Sequence, residues 1–334
     1  MKRLAYLGAL GAIVGLALLT ALVVMQDWGT ILAALRHAGW ALLLVAPAHL
    51  FTLTLDARAW RLLLDPFDPA RRAGPMFLTW VASVREAVNR LLPAAGIGGE
   101  VVGVRLARLR IPDTSALAAS VIVEVLMTIV VIYLFCGIGV VLMARLAAGV
   151  GQVWIIAASL LLSLPVPVLV WWLLRHGAPF ERLEKWALRL LGPRNSVALQ
   201  MDGERLDTDI RRLFRERARI LRAMGLSLLS YLLGSFETWY ALRLLGHPVS
   251  LQAAVAIEAL TQSTRHASFL VPAGLGMQEA AVVLFGHLAG VGGDVALSLA
   301  LVKRMREIVI GIPALLSWQW VEARRLRQRA ERLG

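Results

Sequence analysis

The chain has 334 residues, of which 58% are hydrophobic and 17% charged, and its mean hydropathy is +0.69. A soluble domain is roughly 45–50% apolar and about 25% charged, so the composition excludes a soluble enzyme, a disordered tail protein and a secreted disulfide scaffold. The 35 basic residues outnumber the 22 acidic ones, for a net charge of +13, but they lie between apolar runs rather than in one domain, which argues against nucleic acid as a partner. The single cysteine, Cys136, sits inside an apolar run, so neither an internal disulfide nor a thiolate metal cluster is expected. This is the composition of an integral membrane protein.

A helix crosses the hydrocarbon core with roughly 20 mostly apolar residues, and the segments 4–25, 39–64, 114–144, 152–174, 221–245 and 295–320 qualify as spans. The first follows Met1-Lys2-Arg3, is longer than a signal-peptide core and lacks a small-x-small site, so it reads as a retained span. Cytoplasmic segments carry the excess of Lys and Arg. With six spans, Lys2 and Arg3, the segment 56–73, the stretch 175–220 and the tail from Arg324 to Arg332 all fall on one side, which places both termini in the cytoplasm. The cytoplasmic segment 175–220 alternates acids with bases over 180–220 and reads as an amphipathic helix along anionic headgroups. Its charge serves topology and surface adhesion, or else docks a specific lipid.

Two regions fit neither a span nor a loop. Residues 75–110 and 254–291 each show a moderately apolar helix, a Pro/Gly break and a second short apolar helix. Proline removes a backbone donor and glycine frees the backbone, so the stretch Pro93 to Gly99 interrupts its helix. Such a pair dips into the membrane and returns, which is tolerated only where the unwound backbone is buried in protein or lines a cavity. At an offset of 179 residues, Trp60 falls on Trp239, Pro93 on Pro272, Ala94 on Ala273 and Glu100 on Glu279. The first copy, 39–145, enters from outside; the second, 218–324, enters from the cytoplasm. The expected fold is an all-α polytopic membrane protein, one membrane domain over 1–334, with six full spans and two re-entrant broken-helix pairs arranged as an inverted repeat. Alternating-access transporters use that architecture to set helix ends around a substrate site, although a repeat can also be mere ancestry.

Ionisable side chains at membrane depth are costly and face protein or water. They collect around the breaks: Arg85, Glu86, Asn89, Arg90, Glu100 and Arg105 in the first copy, and Glu258, Arg265, His266, Gln278 and Glu279 in the second. Opposite them stand Glu124 and the run Lys303, Arg304, Arg306 and Glu307. Glu86 with Arg90, and Lys303 with Glu307, share one helix face at i,i+4. One reading is a cavity for a charged or hydroxylated headgroup, with arginines for phosphate or carboxylate. In it Pro93, Gly96, Gly98, Gly99, Pro272, Gly274 and Gly276 would let the backbone approach the ligand. The other reading is a set of structural ion pairs. His266 reads as a hydrogen-bonding partner rather than a ligand, since no second His or Cys stands at metal spacing. Gly96-Ile97-Gly98 and Gly274-Leu275-Gly276 lack the third glycine and the strand of a dinucleotide loop, and no GxxxxGK[ST] occurs. No cofactor, no metal and no catalytic residue is expected. Trp171, Trp172, Trp318 and Trp320 read as interfacial anchors.

The string Leu92 to Gly103, LPAAGIGGEVVG, resembles the lysylphosphatidylglycerol synthase transmembrane, or flippase-like, family. It is closer to that family's hopanoid-biosynthesis-associated, HpnL-type branch, and Ala119 to Glu124, Arg265 to Glu279 and Lys303 to Glu307 agree with that branch. The resemblance implies a polytopic protein of the bacterial inner membrane that moves or presents lipids between leaflets. In the wider family a basic residue often follows the glutamate matching Glu124; here Val125 stands there. The bifunctional members' soluble aminoacyl-transferase domain has no counterpart in these residues, so lysine transfer is not implied. The leading expectation is a lipid translocase in which Arg90, Arg265 and Arg304 hold a headgroup, while Glu86, Glu100, Glu124, Glu279 and Glu307 orient those bases or carry a proton. Its partners would be membrane lipids and no nucleic acid. The alternatives are a non-transporting scaffold for lipid-biosynthesis enzymes and a membrane-embedded transferase acting on a polyprenyl or hopanoid lipid.

Overall fold

The computed structural model describes residues 36, 39, 44–92, 98–146, 158, 161, 168, 172, 203–268 and 276–331. Among these the chain is all-helical, with no strand. In chain order the helices are α1 (Val45–Leu64), α2 (Pro75–Leu91), α3 (Gly98–Ala107), α4 (Thr114–Leu146), α5 (Gly203–Arg215), α6 (Arg217–Leu244), α7 (Leu251–Ala267), α8 (Met277–Leu288) and α9 (Gly293–Glu331). The expected span 4–25 lies outside the described residues, as does 152–174 apart from isolated positions. By length and composition, one described helix, α4, is long and apolar enough to cross a membrane. The segments 39–64, 221–245 and 295–320 do become the helices α1, α6 and α9, but charged residues interrupt their apolar runs.

Local chemistry sets the boundaries. Proline at the first helical position opens α2, where its missing N–H costs nothing. The helix stops at Leu92, in extended backbone, because the residue before a proline is disfavoured in helical geometry. The start of α3 is closed by a side chain: Asn89 Oδ1 accepts the Gly99 N–H at 2.8 Å, satisfying one of the donors that a helix start leaves open. Ser250 caps α7 by accepting from the Ala253 N–H at 3.1 Å. Gly276 precedes α8 at φ +74°, a left-handed conformation that glycine adopts without a Cβ clash. Both breaks, 93–97 and 269–275, lie outside the described residues, and with them Pro93, Gly96, Pro272 and Gly274.

The helices on either side of the two breaks keep a common register. α3 and α8 begin at Gly98 and Met277, and α4 and α9 at Thr114 and Gly293, each pair 179 residues apart. Packing follows the same correspondence: α1 lies along α6, while α2 packs on α9 and α7 on α4. The first helix of each helix pair flanking a break is thus held by the long helix of the other half, while the second, α3 or α8, packs on the long helix of its own. One core gathers Trp60, Leu78, Val84, Leu106 and Leu117 around α2, and a second gathers Leu242, Ile257, Val282, Leu297 and Ala300. The tryptophan expected as an anchor at 318 instead packs against the first core, whereas Trp320 is exposed.

Most of the amphipathic segment 175–220 lies outside the described residues. Its described part, α5, buries Ile210 and Leu213 against Ala59, Leu63 and Leu126, and Ser115 of α4 donates to Asp209 at 2.8 Å. The apolar stripe of this helix is covered by protein, which leaves only its polar side for headgroups.

Small residues permit the exchanged packing. A Cβ at Gly139 of α4 would stand 2.6 Å from the Cβ of Ala259 in α7, whereas one at Gly137 meets nothing within 4 Å. Gly139→Ala is therefore expected to destabilise the protein by about 1–3 kcal/mol through overpacking. Gly137→Ala is expected to be neutral or stabilising by up to about 1 kcal/mol. Thermal unfolding of the two variants in detergent is the measurement, and equal melting temperatures would contradict the contact.

Candidate functional site

The charged residues flanking the breaks come together as hydrogen-bonded networks. On the first side, Arg85 of α2 donates from Nε to Glu100 Oε2 at 2.8 Å and closes a second bond to the same carboxylate from Nη2. Its Nη1 lies 2.9 Å from Glu124 Oε2, and its guanidinium stacks 4.9 Å from the Trp60 ring centroid. Asn89 Nδ2 adds a bond to Glu100 Oε1 at 3.3 Å. The partner that the sequence left open for Glu124 is therefore Arg85, from another helix. Gly99 and Gly103 press against Arg85: a Cβ at Gly99 would overlap the Arg85 carbonyl, and one at Gly103 would stand 2.6 Å from its Cδ.

The second network joins the halves. Arg90 of α2 reaches Glu307 Oε1 on α9 at 2.6 Å, Glu86 Oε1 on its own helix at 3.1 Å and Gln278 Oε1 on α8 at 3.3 Å. Arg304 donates to Glu279 Oε1 from Nη2 at 2.8 Å and to Glu307 Oε2 from Nη1 at 2.9 Å. Glu307, with a side chain 1% exposed, thus accepts from two arginines. The i,i+4 pairing of Glu86 with Arg90 forms as expected. That of Lys303 with Glu307 does not, because Lys303 turns to Glu258, which also accepts from Thr238 at 2.5 Å and Gln262 at 2.8 Å.

The sequence reading missed two members. His49 of α1 bonds Glu86 Oε2 through Nε2 at 2.8 Å and stands 3.8 Å from Glu237 Oε2; Glu237 in turn pairs with Arg306. Both lie inside segments taken as plain spans, where an ionisable residue at membrane depth is itself the signal. His49, Ser83, Glu86, Arg90, Glu307 and Gly311 line a cavity of about 10 Å³, on the order of one water. A headgroup does not fit there in this conformation.

The three arginines expected to hold a headgroup now separate. Arg90 and Arg304 are each held between two carboxylates, so removing either strands a buried acid and costs folding stability as well as function. Arg265 differs: among the described residues it has no carboxylate partner, and its buried Nη1 makes no hydrogen bond. Next to it His266 Nδ1 contacts the Gln262 carbonyl at 2.8 Å, as its assignment to a hydrogen-bonding role required. Arg105 does not join the cluster. Its side chain is 62% exposed and pairs with Glu322 at 2.8 Å. Gly98 and Gly276 flank the breaks, and Gln278 and Glu279 open α8. No group of three or more His, Cys, Asp or Glu side chains suited to a metal occurs among the described residues.

The two kinds of ion pair differ in worth. Removing one partner of a buried pair costs about 3–5 kcal/mol, so Glu307→Gln, which leaves Arg90 and Arg304 short of charge, is expected to unfold at markedly lower temperature. Glu322→Gln is expected to cost about 0–1 kcal/mol, as exposed pairs do. The hydrogen bond from Arg105 holds the Glu322 carboxyl below the usual carboxylate range. Its stabilisation is therefore present at neutral pH and lost as the pH falls through that depressed value. Melting curves of both variants at neutral and acid pH read both effects.

A family model described as Lysylphosphatidylglycerol synthase TM region matches residues 10–314. No curated protein and no solved structure matches the chain.

Proposed function

We propose that this chain, which belongs to the lysylphosphatidylglycerol synthase transmembrane family, is a flippase-like translocase that moves an anionic lipid between the leaflets of a bacterial inner membrane. Membership makes it a membrane protein concerned with lipids; the translocase reading goes further, and one observation carries it. In a core where Arg85, Arg90, Arg304 and Arg306 are all matched by glutamates, Arg265 has no carboxylate partner among the described residues and keeps a buried guanidinium nitrogen without a hydrogen bond there, at the end of α7 beside the second break. A buried charge left unpaired costs several kcal/mol by order of magnitude, and an anionic headgroup would remove that cost by bidentate hydrogen bonding.

The common register of α3 with α8 and of α4 with α9 supports an inverted repeat, with six crossings and both termini cytoplasmic. In such a fold the broken helices meet near the midplane. Of the candidate lipids, a phosphatidylglycerol-type lipid, an aminoacylated phospholipid and a polar hopanoid, Arg265 favours the anionic first. Hopanoid association, as in the branch that the sequence resembles, is part of the same proposal.

A second reading, a non-transporting scaffold for lipid-biosynthesis enzymes, draws its support from the water-sized cavity at Glu86, Arg90 and Glu307. A fold held shut by ion pairs needs no ligand.

Leaflet exchange of labelled lipids in liposomes holding the purified protein separates the two. Exchange of the anionic lipid is expected above empty liposomes, slowed about tenfold or more in Arg265→Ala, which loses a charge-assisted bond worth about 1.5–3 kcal/mol. Its melting temperature should match wild type, because no buried carboxylate is stranded. Unchanged exchange in Arg265→Ala would remove the headgroup clamp, and no exchange of any lipid class by folded protein would establish the scaffold.

A further inference from the structure

Asp56 lies within α1, one turn before Trp60, and has no cationic partner among the described residues. Its one polar contact is the Ser230 hydroxyl of α6, at 3.0 Å. That hydroxyl stands equally well placed, at 3.2 Å, for the Thr52 carbonyl oxygen, and Ser230 is 5% exposed. A hydroxyl has one hydrogen to give. With Asp56 ionised, Ser230 donates either to the carboxylate or to the carbonyl and leaves the other without it. With a proton on Asp56, the carboxyl donates to Ser230 Oγ and Ser230 donates to Thr52, so both contacts are satisfied at once.

The charged surroundings point the same way. Among the described residues, Arg85 and Glu86 from α2 and Glu124 from α4 are charged groups near enough to act on Asp56, and Tyr231 of α6 stands close to it. Arg85, the one cation of that set, is already taken up by Glu100 and Glu124. On α1 itself, His49 is bonded to Glu86. From α9, Arg306 and Glu307 are occupied by Glu237 and Arg90. Glu100 and Glu124 already divide that guanidinium between them, and a half-buried acid inside the helix bundle without a counter-charge is neutralised by a proton.

We propose that Asp56 is a proton-binding site whose protonated form is held by a hydrogen-bond chain through Ser230 to the Thr52 carbonyl, and that its loading and unloading link lipid movement to a proton gradient. The linkage rests on the translocase reading; the proton site does not. The coupling element is Arg85. When Asp56 loses its proton, the bare carboxylate competes for the guanidinium that ties α2 to Glu100 of α3 and Glu124 of α4, and so loosens the clasp across the first break. A proton taken up from one side and released to the other balances the cycle, and no further reactant is consumed.

Infrared spectroscopy of the full chain in liposomes tests the site without reference to transport. A protonated-carboxyl C=O stretch is expected at neutral pH in wild type, lost in the isosteric Asp56→Asn and kept in Glu322→Gln. Ser230→Ala, which leaves the carboxyl in place, should move the pH at which that band disappears. A neutral-pH band that survives in Asp56→Asn, or is absent from wild type, overturns the proposal. In leaflet exchange, an imposed proton gradient should speed wild type, while Asp56→Asn exchanges at a rate that ignores the gradient; an equal gradient response in both overturns the coupling. Wild type that moves no lipid sinks the translocase reading and the coupling with it, and the infrared band then decides the proton site alone.

Discussion

A carboxylate that accepts hydrogen bonds from two guanidinium groups, Glu307, ties the halves of this protein together, and much of the arrangement around it depends on that tie. It sits on α9 and accepts from Arg90 on α2 and from Arg304 on its own helix, while Arg304 passes the connection to Glu279 at the start of α8. In a low-dielectric interior such charges are tolerable only when each is matched and hydrogen-bonded. The network therefore fixes the rotation of α2 and α9 about their axes. Apolar packing alone, between surfaces of Leu, Ala and Val, would leave neighbouring registers nearly equal in energy.

The exchanged packing gives the network its reach. Because α2 lies on α9 and α7 on α4, while α3 and α8 pack on α4 and α9 of their own halves, each pair of helices flanking a break is held from both halves. The close approach at Gly139 and Ala259 is what small residues allow between helices in lipid, where van der Waals contact rather than water exclusion drives association. A shift of one broken pair would then be felt in both halves.

Within this matched core, two groups stand out for lacking a counterpart. Among the described residues, Arg265 is a cation with no acid beside it, and Asp56 is an acid with no base. Mismatches of opposite sign on opposite halves are what a carrier of an anion coupled to a proton would need, since each is neutralised by a different ligand. Matched pairs such as Lys303 with Glu258 only hold the frame.

The sequence by itself determined the class of protein, the helices on either side of the two Pro/Gly stretches and most of the charged cluster. Those features are written in composition and in proline, glycine and charge placement, all of which act locally. It misjudged what depends on neighbours distant in the chain. Asp56 falls toward the end of the expected span 39–64 without a role, and its neighbour across the bundle is Ser230 of α6. His49 and Glu237 passed as ordinary span residues, and Arg105 was placed with the cluster although it faces outward to Glu322. Spacing tells which side chains share a helix face, not which helix lies opposite that face. Only the tertiary structure decided which arginines are already neutralised, because a buried charge finds its partner across the bundle rather than along the chain.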